Sequence, residues 1–250
     1  MTAAARLTAI WRHPIKAHGR EAVARTDLRA GEALPWDRHW AVAHAATKAG
    51  ADGWAPCGNF TRGAKAPGLM AIEATLAPET REVTLRHPDR PDLTFAPDGD
   101  AGVFLDWVAP LLPEGRPAPT AIVRAGGRGM TDTPFPSISL NNPASLVALS
   151  RAAGRDLSPH RFRGNLWLDG LAPWGEFDLV GRTIRVGDAT LAVCERIGRC
   201  KATHADPGIG IRDINLTSLL RDTWAHTDFG VYAEVIEGGA IAVGDGWAPE

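Results

Sequence analysis

The sequence predicts an α+β fold that is predominantly β. Apolar residues recur mostly in short alternating runs, as in Trp36-Asp-Arg-His-Trp40-Ala-Val-Ala-His44, the period of a strand with one buried face. These runs are bounded by turn formers, in a chain of 250 residues that holds 27 glycines and 19 prolines. Few segments carry helical spacing behind a recognisable start; the clearest is Asn142-Pro143, followed by Leu146, Leu149 and Ala153.

In chain order, Leu7 to Trp11 predicts a first strand that Pro14 ends. The run from Trp36 to His44 predicts a second, with Asp37 and Arg38 as an exposed ion pair at its mouth and Lys16 as a solvated lysine. Glycine, proline and small residues from Ala49 to Pro67 predict a loop, and Cys57 within it has no recognisable partner or role. Strand alternation resumes at Leu69 to Leu76 and at Glu82 to Leu85, separated by a turn at Pro78-Glu-Thr-Arg81. Asp100 is placed to cap a helix running through Phe104, Trp107 and Leu111, which Pro110 limits. The proline-rich segment from Leu112 to Pro119 reads as a linker, dividing the chain into domains 1–120 and 121–250.

The second half opens with the strand-like Ala121 to Arg124 and a flexible stretch from Gly126 to Gly129, and it carries Asp132 and Thr133 on a turn. The Asn142-capped helix ends at Gly154. Leu166-Trp-Leu168 reads as a strand, and Thr183 to Val193 as a hairpin reversing at Gly187-Asp188. A similar Ile-x-Val-Gly-Asp at Ile241 to Asp245 is the same turn chemistry. Asn215 or Asp213 caps a short helix through Leu216 and Leu220, before a final strand pair that includes Phe229 to Ile236.

Composition excludes several classes of function. With 27 Lys plus Arg against 29 Asp plus Glu, the net charge of −2 gives no global attraction to nucleic acid or anionic membrane. The start of the chain lacks a secretory pattern, and no apolar run reaches the roughly 18 residues of a spanning helix, so the reading is a cytoplasmic protein without a membrane span. Three cysteines, Cys57, Cys194 and Cys200, are too few for a disulfide scaffold. The spacing of Cys194 and Cys200 is not that of a zinc pair, and His-Glu-x-x-His is absent from the sequence.

The chemistry concentrates between Val193 and Pro207. Cys200 stands between Arg199 and Lys201 and follows Gly198, a combination that favours thiolate and leaves room for a bulky partner. Taken alone, this window favours the plainer reading of a small buried cysteine over a metal ligand or a sulfur-transfer nucleophile. Arg161, Arg163, Arg182, Arg185, Arg196, Arg199 and Lys201 gather in the same half, either as a solvated basic face or as donors to a phosphate.

Several separated pieces together resemble the MOSC-domain family, named for the C-terminal domain of molybdenum cofactor sulfurase. They are Trp11-Arg-His-Pro-Ile-Lys16, Trp36-Asp-Arg-His-Trp-Ala-Val42, Asp132-Thr133, Arg161-Phe-Arg-Gly-Asn165, Gly181 to Asp188, Arg199-Cys200, Asp206-Pro207 and Asp228 to Glu234. The resemblance implies an N-terminal β-rich domain packed on a MOSC β-barrel with a few peripheral helices. It further implies a molybdenum cofactor (molybdopterin) between the domains, and reduction of small N-hydroxylated or N-oxygenated molecules, as in proteins similar to the mitochondrial amidoxime-reducing component. By motif, Cys200 would be the molybdenum ligand and, with Asp132 near the metal, the catalytic pair. Lys16, Arg38, Thr133, Arg163 and Asn165 would bind the cofactor. A separate electron-transfer protein carrying flavin, haem or iron–sulfur would supply electrons. The alternative is a sulfur carrier or cofactor-delivery protein using a Cys200 persulfide; Cys194 is read as structural. Ala17, Trp36, Pro134, Gly164 and Gly198 depart from the family's pattern, which commonly has serine at Ala17, glycine at Trp36 and proline at Gly164.

Overall fold

A computed structural model describes residues 5–50, 53–99, 101–125 and 128–250. The chain starts with β1 (Leu7–Arg12), β2 (Glu21–Val23), β3 (Arg25–Leu28) and β4 (Trp40–His44). A three-stranded meander follows: β5 (Glu73–Ala77), β6 (Glu82–His87) and β7 (Arg90–Phe95). Helix α1 (Gly102–Val108) then leads to β8 (Pro119–Arg124), which pairs antiparallel with β4. Beyond it come β9 (Ile138–Asn141), α2 (Pro143–Ala153), β10 (Leu166–Leu168), β11 (Thr183–Val186), β12 (Ala189–Gly198), α3 (Leu216–Trp224), β13 (Asp228–Glu237), β14 (Gly239–Ala242) and β15 (Trp247–Pro249). The fold is therefore α+β and predominantly β.

The largest sheet has eight strands in the order β15-β11-β12-β13-β9-β10-β1-β2. Strand β1 enters it antiparallel to β10, with Ile10 opposite Leu166, and β14 pairs with β3. Residues before and after position 120 thus share one hydrogen-bonded framework. Leu7, Ile10, Leu28 and Leu34 accordingly join Leu140, Leu191, Val231 and Val235 in one core. A second core, with Ile15, Trp40, Leu69, Val83, Phe95, Phe104 and Trp107, lies wholly within the first half. A third, containing Leu149, Phe162, Leu216, Leu220 and Phe229, lies beneath α2 and α3.

Local chemistry explains most boundaries. Asn142 accepts from the Ala144 amide, Pro143 opens α2, and Gly154 ends it in the left-handed region at φ 64°. At α3 the cap is Asn215, which accepts from the Ser218 amide; the alternative, Asp213, is engaged with Arg161. The β11–β12 hairpin reverses at Gly187-Asp188, whose amides donate to Gly246 and Ala240, so this turn packs against the second Gly-Asp turn at Gly244-Asp245.

Three predicted elements are displaced. Trp36 and Arg38 have φ of 65° and 51°, so the strand starts only at Trp40. A 3-10 turn, Pro67–Ala71, replaces the first half of the strand expected from Leu69, because Pro67 starts a turn that buries Leu69 and Met70. Helix α1 stops at Val108 and gives way to a 3-10 turn containing Pro110. Asp100, Gly126 and Gly127 lie outside the described residues. Among the described residues, no helix is long and apolar enough to cross a membrane.

Candidate functional site

Two turns of the first half interlock to deliver its cationic side chains. The His13 amide donates to Asp37 Oδ1 at 2.7 Å, and the Arg38 amide returns a bond to the His13 carbonyl at 2.7 Å. Asp37, expected at the surface, is 2% exposed and pairs with Arg38. Burial pushes its carboxyl pKa up, but Arg38 and the His13 bonds override that and hold it well below the usual carboxylate range. Lys16 is likewise buried rather than solvated: its amide bonds to the Trp40 carbonyl and its Nζ donates to Met130 O at 2.7 Å and Asp132 Oδ1 at 2.5 Å. Burial lowers the Lys16 pKa against the pull of Asp132. Asp132 titrates low because Lys16 and Arg38 outweigh its own desolvation.

The second half supplies the opposite wall. Ser158 caps the turn Pro159–Phe162, and Arg163 leaves it in the left-handed region at φ 47°. β12 runs to Gly198, so that Arg199 and Cys200 emerge at the end of the long strand. Lys16, Arg38, Asp132, Arg163, Cys200 and Tyr232 line one cavity of about 230 Å³. A larger hollow of about 500 Å³, bounded by Thr26, Glu32 and Pro78, contains no thiol and neither Lys16 nor Arg163.

Two residues expected to hold a cofactor have other partners. Thr133 is 3% exposed, and its hydroxyl donates to Phe135 O at 2.6 Å and shares a hydrogen bond with Ser137 Oγ at 2.8 Å. Asn165 accepts from the amide and hydroxyl of Ser139 and donates to Trp11 O, tying β9, β10 and β1 together. Neither lines the cavity; both support the loops that do.

The arginines divide by partner. Arg199 donates to Phe162 O, Phe229 O and Asn141 Oδ1, which fixes its guanidinium on the framework while its charge still faces Tyr232 and Cys200 on the cavity it lines. Arg161 is 1% exposed and grips Asp213 through two bonds of 2.8 and 2.7 Å. It also reaches Asp206 and the Thr203 and His204 carbonyls, which fixes the turn Lys201–His204 that follows Cys200. Arg161 Nε and Arg163 Nη2 are each buried with no hydrogen-bond partner among the described residues, but of the two only Arg163 has no side-chain bond to a carboxylate, and burial, then Arg38, lowers its pKa to about 9. An orphaned buried guanidinium beside a second arginine is a site that an anion would satisfy.

Cys200 is an exposed free thiol, not a small buried one. Cys57, Arg62 and Tyr232 also line the cavity, though the sequence alone assigns none of them a role. Cys57 reaches the same cavity from the glycine-rich loop, with Arg62 Nη1 3.1 Å from its sulfur. Tyr232 is the single tyrosine of the chain, its pKa raised to about 12 by burial and then by Asp132. Among the described residues no three His, Cys, Asp or Glu side chains converge as a set for a metal ion.

This division of labour, cations from one half and a thiol with cations from the other around one cavity, accompanies a match to two family models. The MOSC N-terminal beta barrel domain matches residues 4–102 and the MOSC domain residues 131–247. The chain belongs to the MOSC-domain proteins. Such domains are related to the C-terminal domains of molybdenum cofactor sulfurases and are generally molybdenum-cofactor-binding. Among solved structures, YiiM from Geobacillus stearothermophilus is similar at 21% identity and TM-score 0.35, over 45% of this chain and 53% of that one. The YuaD protein from Bacillus subtilis is similar at 12% identity and TM-score 0.47, over 98% and 94%. YiiM from Escherichia coli is similar at 18% identity and TM-score 0.32, over 45% and 53%. The chain thus spans about half the length of either YiiM. No curated protein matches it significantly.

Proposed function

We propose that the protein binds a molybdenum cofactor in this cavity and reduces small N-hydroxylated or N-oxygenated molecules. The observation that carries the reading is an exposed Cys200 thiol in the same cavity as the partnerless Arg163 Nη2. This donor set fits the group: Cys200 as its one soft protein ligand, Arg163 and Arg38 against its phosphate and pterin, and Lys16 with Asp132 beside it. When bound, the cofactor supplies two-electron redox chemistry.

The protein's own residues do the rest. Lys16 and Asp132 form a protic pair on the cavity wall, where reduction of a hydroxylamine consumes two protons and two electrons per amine and water released. The Arg161 clamp holds the Cys200 turn in one position. Electrons would come from a separate carrier protein.

The test is metal and pterin content of protein made in a host that synthesises the cofactor, with reductant-dependent conversion of an amidoxime. Wild type should carry molybdenum and turn over; Cys200→Ser should lose most of the metal. Equal occupancy in the variant, or metal-loaded protein without turnover, overturns the reading.

A second reading is a sulfur carrier that holds a persulfide on Cys200. It is favoured by Cys57, a second thiol on the same cavity. Mass spectrometry separates the two, since a reducible sulfur adduct confined to Cys200 in metal-free protein favours the carrier.

A further inference from the structure

Two abutting loops outside the cavity form a surface that the chemistry inside does not use. The segment that carries Cys200 continues into residues 206–212, which are rigidly held. The Asp206 amide donates to Ile211 O, the Gly210 amide to Asp206 O and the Gly208 amide to Asp206 Oδ1. Arg20 binds the Pro207 carbonyl, and Arg212 donates to the Ala64 carbonyl of the facing loop at 2.9 Å. Gly210, at φ 70°, packs on Gly68 so closely that a Cβ would lie 2.7 Å from its Cα.

This fixed loop nevertheless displays Ile209 and Ile211 to solvent, 55% and 61% exposed. A rigid loop that holds two large apolar side chains in water has the form of an anchor for a partner. Around them lie the exposed Lys65, Lys201 and Arg212, with Arg62 at the cavity mouth. Among the described residues, none of these four cations has a carboxylate partner, whereas Asp206 and Asp213 on the same loop are neutralised by Arg155 and Arg161. A local excess of positive charge therefore stands out on a chain whose net charge is −2.

We propose that the face built from Ile209, Ile211, Lys65, Lys201 and Arg212 docks an acidic electron-carrier protein at the mouth of the cavity. The occupant follows from charge complementarity, since a cationic ring around a small apolar centre fits an acidic rim and speeds encounter at low ionic strength. Place argues for the same occupant. Ala64 and Ala202, from the two loops, line the cavity directly, so a protein seated here brings its redox centre to the wall that carries Cys200. The face is small, as suits transient electron-transfer contacts. The proposal rests on the reductase reading above.

The test uses cofactor-loaded full-length protein and a small acidic [2Fe–2S] ferredoxin as the probe. Binding is titrated at low and high salt, and amidoxime reduction is driven in parallel by the reduced ferredoxin and by a small viologen dye. Ferredoxin should bind in a salt-sensitive manner. The double variant Ile209→Ser/Ile211→Ser and the single variant Lys65→Glu should each weaken binding roughly tenfold and slow ferredoxin-driven turnover by a similar factor. Dye-driven turnover should stay at the wild-type rate. Failure of wild type to bind ferredoxin, variants that bind like wild type, or equal losses with both donors would overturn the docking face. Absence of dye-driven turnover with the binding pattern intact would instead remove the reductase reading and leave the face standing.

Discussion

Arg38 Nη2 donates to the main-chain carbonyl of Arg163 at 3.1 Å, a bond across 125 residues that brings two guanidiniums to one cavity. Burial and this like-charged neighbour both work against the Arg163 charge. The pair is unfavourable in the empty protein and becomes favourable against an anion.

Arg163→Gln should therefore raise the stability of cofactor-free protein, by about 1 kcal/mol once a buried unpartnered charge is removed. Inorganic pyrophosphate should stabilise wild type, by about 2.7 kcal/mol at a hundredfold excess over Kd, and the same variant should lose that gain. Melting curves with and without pyrophosphate check both halves.

Arg161 is buried with its guanidinium on Asp213 and on the turn behind Cys200. Arg161→Met should cost about 1–3 kcal/mol, because it removes the bonds to Asp213 and to the Thr203 and His204 carbonyls while Arg155, 2.8 Å from Asp213 Oδ2, still partners the carboxylate. Alkylation of Cys200 should accelerate in the folded variant as the turn loosens. Urea unfolding and thiol-labelling rates measure the two effects, and Arg161→Lys should restore little, since lysine lacks the bidentate fork.

Gly164 is a steric requirement of this chain. A Cβ there would lie 1.9 Å from Asn141 Nδ2, so Gly164→Ala should destabilise by about 1–3 kcal/mol. Combining it with Asn141→Ala should recover part of that loss, giving a clearly non-additive double-mutant cycle. Additive effects would mean that the clash is relieved elsewhere.

The interior histidines predict acid sensitivity. Burial, reinforced by Arg163, lowers the His13 pKa to about 3, and burial lowers that of His18 to about 4. Between these values and the unperturbed value near 6.5, the unfolded chain binds more protons than the folded one. Their contribution is therefore complete above about pH 6.5 and declines as pH falls toward 4. Each histidine adds at most about 1.4 kcal/mol of loss per pH unit. Asp37, held low in the folded state, adds a loss of the same sign only below the unfolded carboxylate range. Urea midpoints at pH 7.5, 6 and 5 should fall in that order, and a flat profile would contradict the assignment.

Much of the secondary structure was legible because short-range chemistry decides it. Asn142 with Pro143, Gly154, Asn215 and the Gly187-Asp188 reversal each act within a few residues, and each stands where the pattern predicted. The turn at Pro67 is a local miss, whereas those around the site come from the tertiary fold. Trp36, Arg38 and Arg163 adopt left-handed backbone that their own propensities disfavour. Arg38 and Arg163 are held there by partners elsewhere in the chain, the His13 carbonyl for the Arg38 amide and the Arg38 guanidinium for the Arg163 carbonyl. The family's usual glycine at the Trp36 position would suit that φ without strain.

The sequence by itself determined the β-rich class, the caps of α2 and α3, the near-neutral charge and, through motif resemblance, the candidate site residues. Tertiary structure decided which of them meet. It set Lys16, Arg38, Asp132, Arg163 and Cys200 on one cavity, turned Thr133 and Asn165 into supports, and added Cys57 and Tyr232. Solvation is the physical reason. Whether a lysine or aspartate is a surface charge or a buried partner depends on what the rest of the chain packs over it. For Lys16 and Asp37 that cover comes from contacts which no local window contains.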